Sequence, residues 1–251
     1  MYGIDAAKSE AVNRYLDSFW GVHGYMDILS ARFFLHICLN QAALGRRGNV
    51  CEIGCLNGRS FPASLLSTSG DETGLAIDTW EAVRTDDVVS RKALKETFVA
   101  NVRKACPREK IVVRSGDSTL LDPETMTGLA GGRFRFVYVD GSHKEKDVLV
   151  DLRNSTECLT DHGIIACDDA FQCAVAGVAA AVQVHLHKCM QEREPPLVPF
   201  AVTHSQLLCC RPAAYRENHD LMLRILSSPY PHLKWEETEI HGTPIVAAWR
   251  V

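Results

Sequence analysis

A chain of 251 residues with 46% hydrophobic residues is long enough to bury the core of one large α/β domain. Charged residues make up 23% and the net charge is −4, so no basic excess marks a nucleic-acid or anionic-membrane surface. Neither nucleic acid nor membrane is therefore expected as a partner.

The first stretch, MYGIDAAKSEAVNRYLD, is mixed and polar and lacks the basic-then-apolar order of a secretory leader. The apolar stretch Met26 to Leu44 is broken by Asp27, Arg32, His36, Asn40 and Gln41, and reads as a buried amphipathic helix rather than a membrane span. Helices are expected over 9–20 and 26–44, with Gly45 and Gly48 stopping the second. Residues 1–45 thus form an N-terminal helical cap. The helix at 26–44 can pack on its own core or on a second subunit, which leaves a homo-oligomer open.

From residue 49 onward strand and helix signals alternate. Strands are expected at 49–54, 74–78, 110–116, 134–140 and 163–169. Helices fall between and after them at about 60–69, 86–105, 143–159 and 171–190. Leu94, Phe98, Val102 and Ala105 recur at helical spacing, as do Val148, Leu152, Ser155 and Leu159. Ser142 and Glu145 are placed to form a capping box, and Gly163 to reverse the chain after the helix. EREPPLVP (192–199) reads as a loop. LVPFAV and QLLCCRP read as a hairpin turning at Thr203–Ser205, followed by a helix at 213–227 and two strands, WEETEI and PIVAAWRV.

Such alternation implies right-handed crossovers and a mostly parallel sheet. The expected architecture is one domain over 1–251: a Rossmann-like, mostly parallel seven-stranded sheet over 49–211, the helical cap before it, and a C-terminal helix–strand extension over 212–251. Parallel sheets bind ligands at the carboxyl ends of their strands. Glu52, Asp78, Asp117, Asp140, Asp168 and Asp169 lie there.

The ten cysteines include no C-x-x-C pair and no zinc-type Cys/His spacing. Cys51, Cys55 and Cys167 belong to apolar runs, and strand alternation sends Cys209 and Cys210 to opposite faces. A reduced, cytoplasmic protein is expected.

EIGCLNGRS (52–60) is a Gly-rich turn entering a helix. Its spacing is not G-x-G-x-x-G, so a dinucleotide is not indicated. Gly54 and Gly58 permit close approach to a ligand. Glu52 can receive the ammonium of a methionine moiety, Asp78 both hydroxyls of a ribose, and Asp117 an adenine amino proton. Each acid taken alone reads as a solvated loop residue or helix cap. Three at successive strand ends, after the glycine turn, point to a nucleoside site.

Taken together, EIGCLNGRS, AIDTWE, SGDS and VDGSH…DDA resemble class I S-adenosylmethionine-dependent methyltransferases, most closely the metal-dependent branch of macrocin- and novobiocin-type sugar O-methyltransferases. The resemblance covers about residues 20–211. It implies roles for Glu52, Gly54, Asn57, Gly58 and Ser60 around the methionine part, for Asp78, Thr79 and Trp80 at the ribose, and for Asp117 and Ser118 at the adenine. Asp140 is counted among the cofactor-site residues as well. WGVHGYM (20–26) resembles the segment that closes over cofactor and substrate.

Asp140 ends one strand, and Asp168 and Asp169 end its neighbour about 5 Å away, so three carboxylates can converge. Such a set suits Mg²⁺ or Mn²⁺, with Ca²⁺ also compatible. Asp168 and Asp169 also read as acids at a helix start, and Asp140 as a turn acid. His143 stands where the resembling sugar methyltransferases place a catalytic base, and imidazole suits that task near neutral pH. Asp147, one helical turn on, is placed to orient it.

These features lead to a metal-dependent O-methyltransferase acting on a hydroxyl of a small molecule, a sugar or glycosylated compound by resemblance. Asp140 and His143 carry the catalysis, and Asp140, Asp168 and Asp169 hold the metal. The alternatives are a catechol or phenol O-methyltransferase and a non-catalytic cofactor-binding scaffold. His23, Tyr25, Trp80 and His204 are candidate acceptor contacts.

Overall fold

The computed structural model describes residues 5–81, 91–192, 196–227 and 233–250. Helix α1 (Ala6–Ser18) starts at Asp5, whose carboxylate accepts the Lys8 N–H, and α2 (Ile28–Ala43) starts at Asp27, which accepts from Leu29 and Ser30. There follow β1 (Asn49–Ile53), α3 (Phe61–Leu65), β2 (Thr73–Asp78), α4 (Arg91–Ala105), β3 (Lys110–Ser115), α5 (Pro123–Ala130), β4 (Phe134–Val139), α6 (Glu145–Glu157), β5 (Leu159–Cys167) and α7 (Ala176–Glu192). The chain then forms β6 (Val198–Thr203), β7 (Gln206–Cys210), α8 (Tyr215–Leu226), β8 (Leu233–Ile240) and β9 (Thr243–Arg250). The expected start of the fourth helix, 86–90, lies outside the described residues.

One sheet holds all nine strands in the order β3-β2-β1-β4-β5-β7-β6-β9-β8. The first five in that order pair in parallel. Strand β7 runs antiparallel to β5 and forms the expected hairpin with β6, turning through His204 at φ 52°. The expectation of seven strands is corrected to nine. The tail does not stand apart: β9 pairs in parallel with β6, and β8 pairs antiparallel with β9. Strand β8 is the edge, and its residues 234–239 are all exposed, including Lys234, Glu236, Glu237 and Glu239. Charges of this kind discourage further strand addition.

Strand alternation divides the core between the two faces of the sheet. Val50, Phe136, Tyr138, Ile164, Ala166, Leu208 and Cys210 pack on the side of α2 and α8. Cys51, Ile53, Val137, Val139, Ile165, Cys167, Leu207 and Cys209 pack on the side of α6 and α7. Cys209 and Cys210 thus part to opposite faces, as expected. All ten cysteines are free thiols, and Cys173 alone is exposed.

Helix α2 packs on its own sheet. Phe34 meets the rings of Phe136 and Tyr138 edge-on at 5.1 and 5.0 Å. The stretch Cys173–Gln191 is long and apolar enough by composition to cross a membrane. Here Val178, Ala181, Val182 and Leu186 are buried in the core shared with α6.

At the amino-terminal end of the sheet a fully buried Arg135 bonds the Cys38 carbonyl, Gln41 Oε1, Ser67 Oγ and, at 3.3 Å, Glu72 Oε1. Each nitrogen of this charge thereby has a partner, which a buried guanidinium requires.

Two local expectations fail. Lys144, not Ser142, is the N-cap of α6. Ser142 Oγ instead accepts from Lys144 N–H and donates to Asp147 Oδ2, so no capping box with Glu145 forms. Gly163 does not follow the helix directly. Helix α6 closes at Cys158, and Gly163 lies within β5 near the irregular register between Phe134 and Phe136 of β4, where a Cβ would lie 2.7 Å from Leu159 Cβ.

Candidate functional site

The sheet order reverses direction between β1 and β4, and a crevice opens at the carboxyl ends of such neighbours. The loop after β1 turns at Gly58, whose N–H bonds the Cys55 carbonyl. Gly54 and Gly58 have φ of 86° and 80°. Ligand approach alone does not account for them. A Cβ on Gly54 would lie 1.9 Å from the Asp140 carbonyl oxygen, and one on Gly58 would meet Phe98 and Val102 of α4 at 3.0 and 2.9 Å. These glycines set the loop against β4 and α4.

Asp78 braces the same loop. Its Oδ2 accepts the Leu56 N–H at 2.8 Å and its Oδ1 the Trp80 N–H at 2.6 Å. Trp80 is buried, donates its indole N–H to the Leu56 carbonyl, and packs on Phe98. It therefore shapes the loop from within and does not line an open acceptor site. Thr79 is exposed.

Glu52 is 1% exposed and accepts the Ser60 hydroxyl at 2.5 Å. Burial pushes its carboxyl up to about 8, with Asp78 and Asp168 adding repulsion and the Ser60 bond opposing. A folded chain therefore keeps a proton that an unfolded one releases near 4.5. The unliganded protein should lose stability as pH rises through that window. Asp151, pushed up to about 7 chiefly by burial, acts with the same sign. Glu52→Gln should flatten the decline in thermal melts between about pH 5 and 8. Equal slopes in variant and wild type would remove Glu52 from this account.

Asn57 Oδ1 is buried without a hydrogen-bond partner, an acceptor left open beside the glycine turn. Asp117 lies exposed beyond β3, where its Oδ1 caps a short turn by accepting from the Thr119 N–H and hydroxyl. Those bonds hold its carboxyl below the usual range.

Asp140 directly follows β4. Burial pushes its carboxyl well up, and Asp168, Glu52 and Asp169 add repulsion. Asp169 adopts φ 56°, a strained conformation for a residue other than glycine. Its Oδ2 lies 3.3 Å from His143 Nε2. One donor atom each from Asp140, His143 and Asp169 lies within 4.8 Å of the others.

The expected trio of Asp140, Asp168 and Asp169 is thus rearranged. Consecutive side chains diverge at a strand end, and Asp168 Oδ1 is taken by Ser205 Oγ at 2.7 Å and Gln206 Nε2 at 2.6 Å. His143 joins Asp140 and Asp169 instead. Asp147 does not take the expected place beside His143: Asp169 does, and Asp147 accepts from Ser142.

The cap is fastened to the glycine turn by Arg59. Its guanidinium stacks on Phe19 and Trp20, each at 5.3 Å, and its Nε donates to the Val22 carbonyl at 2.6 Å. Tyr25 is exposed with His23 against its ring, and His204 sits one residue from Ser205 in the hairpin turn.

Sequence reasoning passed over Asp151 and Gln206. Asp151 is buried on α6, and neither carboxylate oxygen has a hydrogen-bond partner. An acid inside the stripe of Val148, Leu152 and Ser155 was a visible signal.

Residues 51–170 match the family model described as a methyltransferase domain. No curated protein sequence matches the chain. Among solved structures, the O-methyltransferase NovP is similar with a TM-score of 0.62 at 12% identity, covering 82% of this chain and 98% of that one. The O-methyltransferase from Bacillus cereus, in complex with SAH, is similar with a TM-score of 0.54 at 13% identity, covering 82% and 90%. CalS11, a TDP-rhamnose 3′-O-methyltransferase of calicheamicin biosynthesis, is similar with a TM-score of 0.52 at 14% identity, covering 82% and 95%. Residues 51–170 are thus similar to a methyltransferase domain, and the chain has the α/β Rossmann-like fold of these O-methyltransferases.

Proposed function

We propose that this protein is an S-adenosylmethionine-dependent O-methyltransferase that uses a divalent cation to methylate a hydroxyl of a sugar or glycosylated small molecule. The observation that carries the reading is the cluster of Asp140, Asp169 and His143 beside the glycine turn at the switch point of the sheet. The similarity to CalS11, a TDP-rhamnose 3′-O-methyltransferase, supports the sugar class.

The residues fit a hard cation. Burial and the charges of Asp168, Glu52 and Asp169 raise the proton affinity of Asp140, and a divalent ion would offset that repulsion. Asp140 and Asp169 would hold it, with the second oxygen of Asp168 as a further ligand. When bound, such an ion lowers the pKa of a coordinated hydroxyl and aligns it.

The chain's own residues do the rest. The loop after β1 and the acids Glu52 and Asp78 bind the methionine and ribose parts of the donor. In the displacement the methyl carbon leaves sulfur, which keeps the bonding pair and becomes a thioether, and bonds to the acceptor oxygen. The hydroxyl proton passes to His143. Asp169 Oδ2, 3.3 Å from His143 Nε2, would stabilise the imidazolium that forms.

Calorimetry with S-adenosylhomocysteine tests the cofactor. Wild type should bind, and Asp78→Ala should lose about 10–150-fold in affinity through lost bonds to a charged acceptor. A folded wild type without affinity would end the reading. A mass-spectrometric screen of sugar nucleotides against catechols then settles the acceptor class, since methylated catechol alone would displace the sugar.

A further inference from the structure

Asp168 is set by a buried chain of side chains that no strand-end motif announces. Gln206, 1% exposed at the start of β7, donates Nε2 to Asp168 Oδ1 at 2.6 Å and to Ser205 Oγ at 3.0 Å. Ser205 Oγ donates to the same carboxylate oxygen at 2.7 Å. Reversing the Gln206 amide would set two oxygens against each other at the Asp168 end, so the nitrogen belongs there. On its other side Gln206 Oε1 lies 2.6 Å from Ser30 Oγ, which is fully buried in the first turn of α2. Ser30 Oγ also lies 2.7 Å from Asp27 Oδ2, the N-cap of α2; its single proton serves one of these two acceptors at a time, and the Ser30 N–H, donating to Asp27 Oδ1 at 3.2 Å, completes the link. Asp27 directly follows the segment 20–26.

We propose that Gln206 is a positioning residue that fixes the Asp168 carboxylate and couples it, through Ser30 and Asp27, to the start of the cap helix. Both bonds fall on Oδ1, and neither takes Oδ2. A strand residue with no site contact of its own thereby decides which way Asp168 faces. The same chain gives the cap a mechanical link to the acidic cluster, some 140 residues away along the sequence from Asp27 to Asp168. A leucine at position 206 would leave Ser30 and Asp168 without their common partner.

This inference rests on the metal reading above. Its test is Mn²⁺ binding to the full chain, followed by electron paramagnetic resonance, for wild type, Gln206→Leu, Ser205→Ala and Ser30→Ala. Partners that orient a metal ligand typically govern about 10–100-fold of affinity. Gln206→Leu should therefore weaken Mn²⁺ binding by about 10–100-fold, and Ser205→Ala, which removes the second bond to Oδ1, by less. Ser30→Ala should speed hydrogen exchange at the Leu29 and Ser30 amides, and added Mn²⁺ should slow that exchange in wild type but not in Gln206→Leu. A variant that melts earlier yet binds Mn²⁺ as wild type does would reduce Gln206 to a structural residue and overturn the proposal. If Gln206→Leu does not fold, Ser205→Ala and Ser30→Ala decide by the same readouts. Wild type that binds no Mn²⁺ overturns the metal reading itself, whereas wild-type binding with indifferent variants overturns this inference alone.

Discussion

Exhaustive chelation is expected to abolish methyl transfer, and Mg²⁺ or Mn²⁺ to restore it. The expectation follows from charge. Asp140, Asp168 and Asp169 gather at two adjacent strand ends with Glu52 beneath them, and the carboxyl of Asp140 is driven up by its burial and by those neighbours. Among the described residues no lysine or arginine forms an ion pair with Asp140, Asp168 or Asp169. Under the proposed function a divalent cation would supply that positive charge and, by polarising a bound hydroxyl, a nucleophile at neutral pH. Asp168→Asn is the informative variant. Its side-chain oxygen can still accept from Ser205 and Gln206, so geometry survives while charge is lost. Turnover should fall sharply with S-adenosylhomocysteine affinity little changed, and Asp169→Asn should behave alike. Full activity after chelation, measured with the metal content checked by mass spectrometry, would leave a purely base-driven enzyme. The contact of His143 with Asp169 is the observation that favours that second reading.

The five parallel strands were legible because each is a short apolar run that ends in a glycine or an acid. The last two strands were legible as strands, but not as members of the same sheet. Pairing of Ala201–Thr203 with Val246–Ala248 joins segments with a whole helix between them, and nothing local in either encodes it. The acids at the strand ends were likewise readable, whereas their partners were not. Asp168 and Asp169 look equivalent in sequence. They differ because Asp169 takes a positive φ and because Gln206 and Ser205 arrive from a later hairpin to claim Asp168. Gly54 and Gly58 were assigned to a ligand from spacing alone, but the backbone of Asp140 and the ring of Phe98 also require them. The expected pairing of Asp147 with His143 assumed that a helix already ran through His143. Helix α6 starts at Glu145, so the one-turn relation does not hold there.

His143→Ala should lower kcat by about 10²–10⁴-fold, the usual share of a general base. The reasoning starts from the nucleophile. An alcohol attacks a sulfonium methyl poorly until its proton leaves, while the donor itself needs only alignment. His143 lies in the turn between β4 and α6, within reach of both Asp140 and Asp169. Asp169 Oδ2 lies 3.3 Å from Nε2 and would stabilise the charged ring once the proton has moved. Cofactor affinity should hardly change, because the residues proposed to bind the donor, Glu52, Asp78 and the loop after β1, lie apart from His143 in sequence. The rate profile of wild type should fall on its acidic side, since a protonated imidazole cannot take a proton, and the variant should lack that limb. Asp169→Asn should share part of the loss in kcat even where metal is saturating, and Asp147→Asn should not, given its bond to Ser142 instead. The measurement is kcat against pH on the identified acceptor with saturating metal. Profiles of the same shape and similar height in wild type and His143→Ala would show that the proton leaves by another route, to water or to a neighbouring carboxylate.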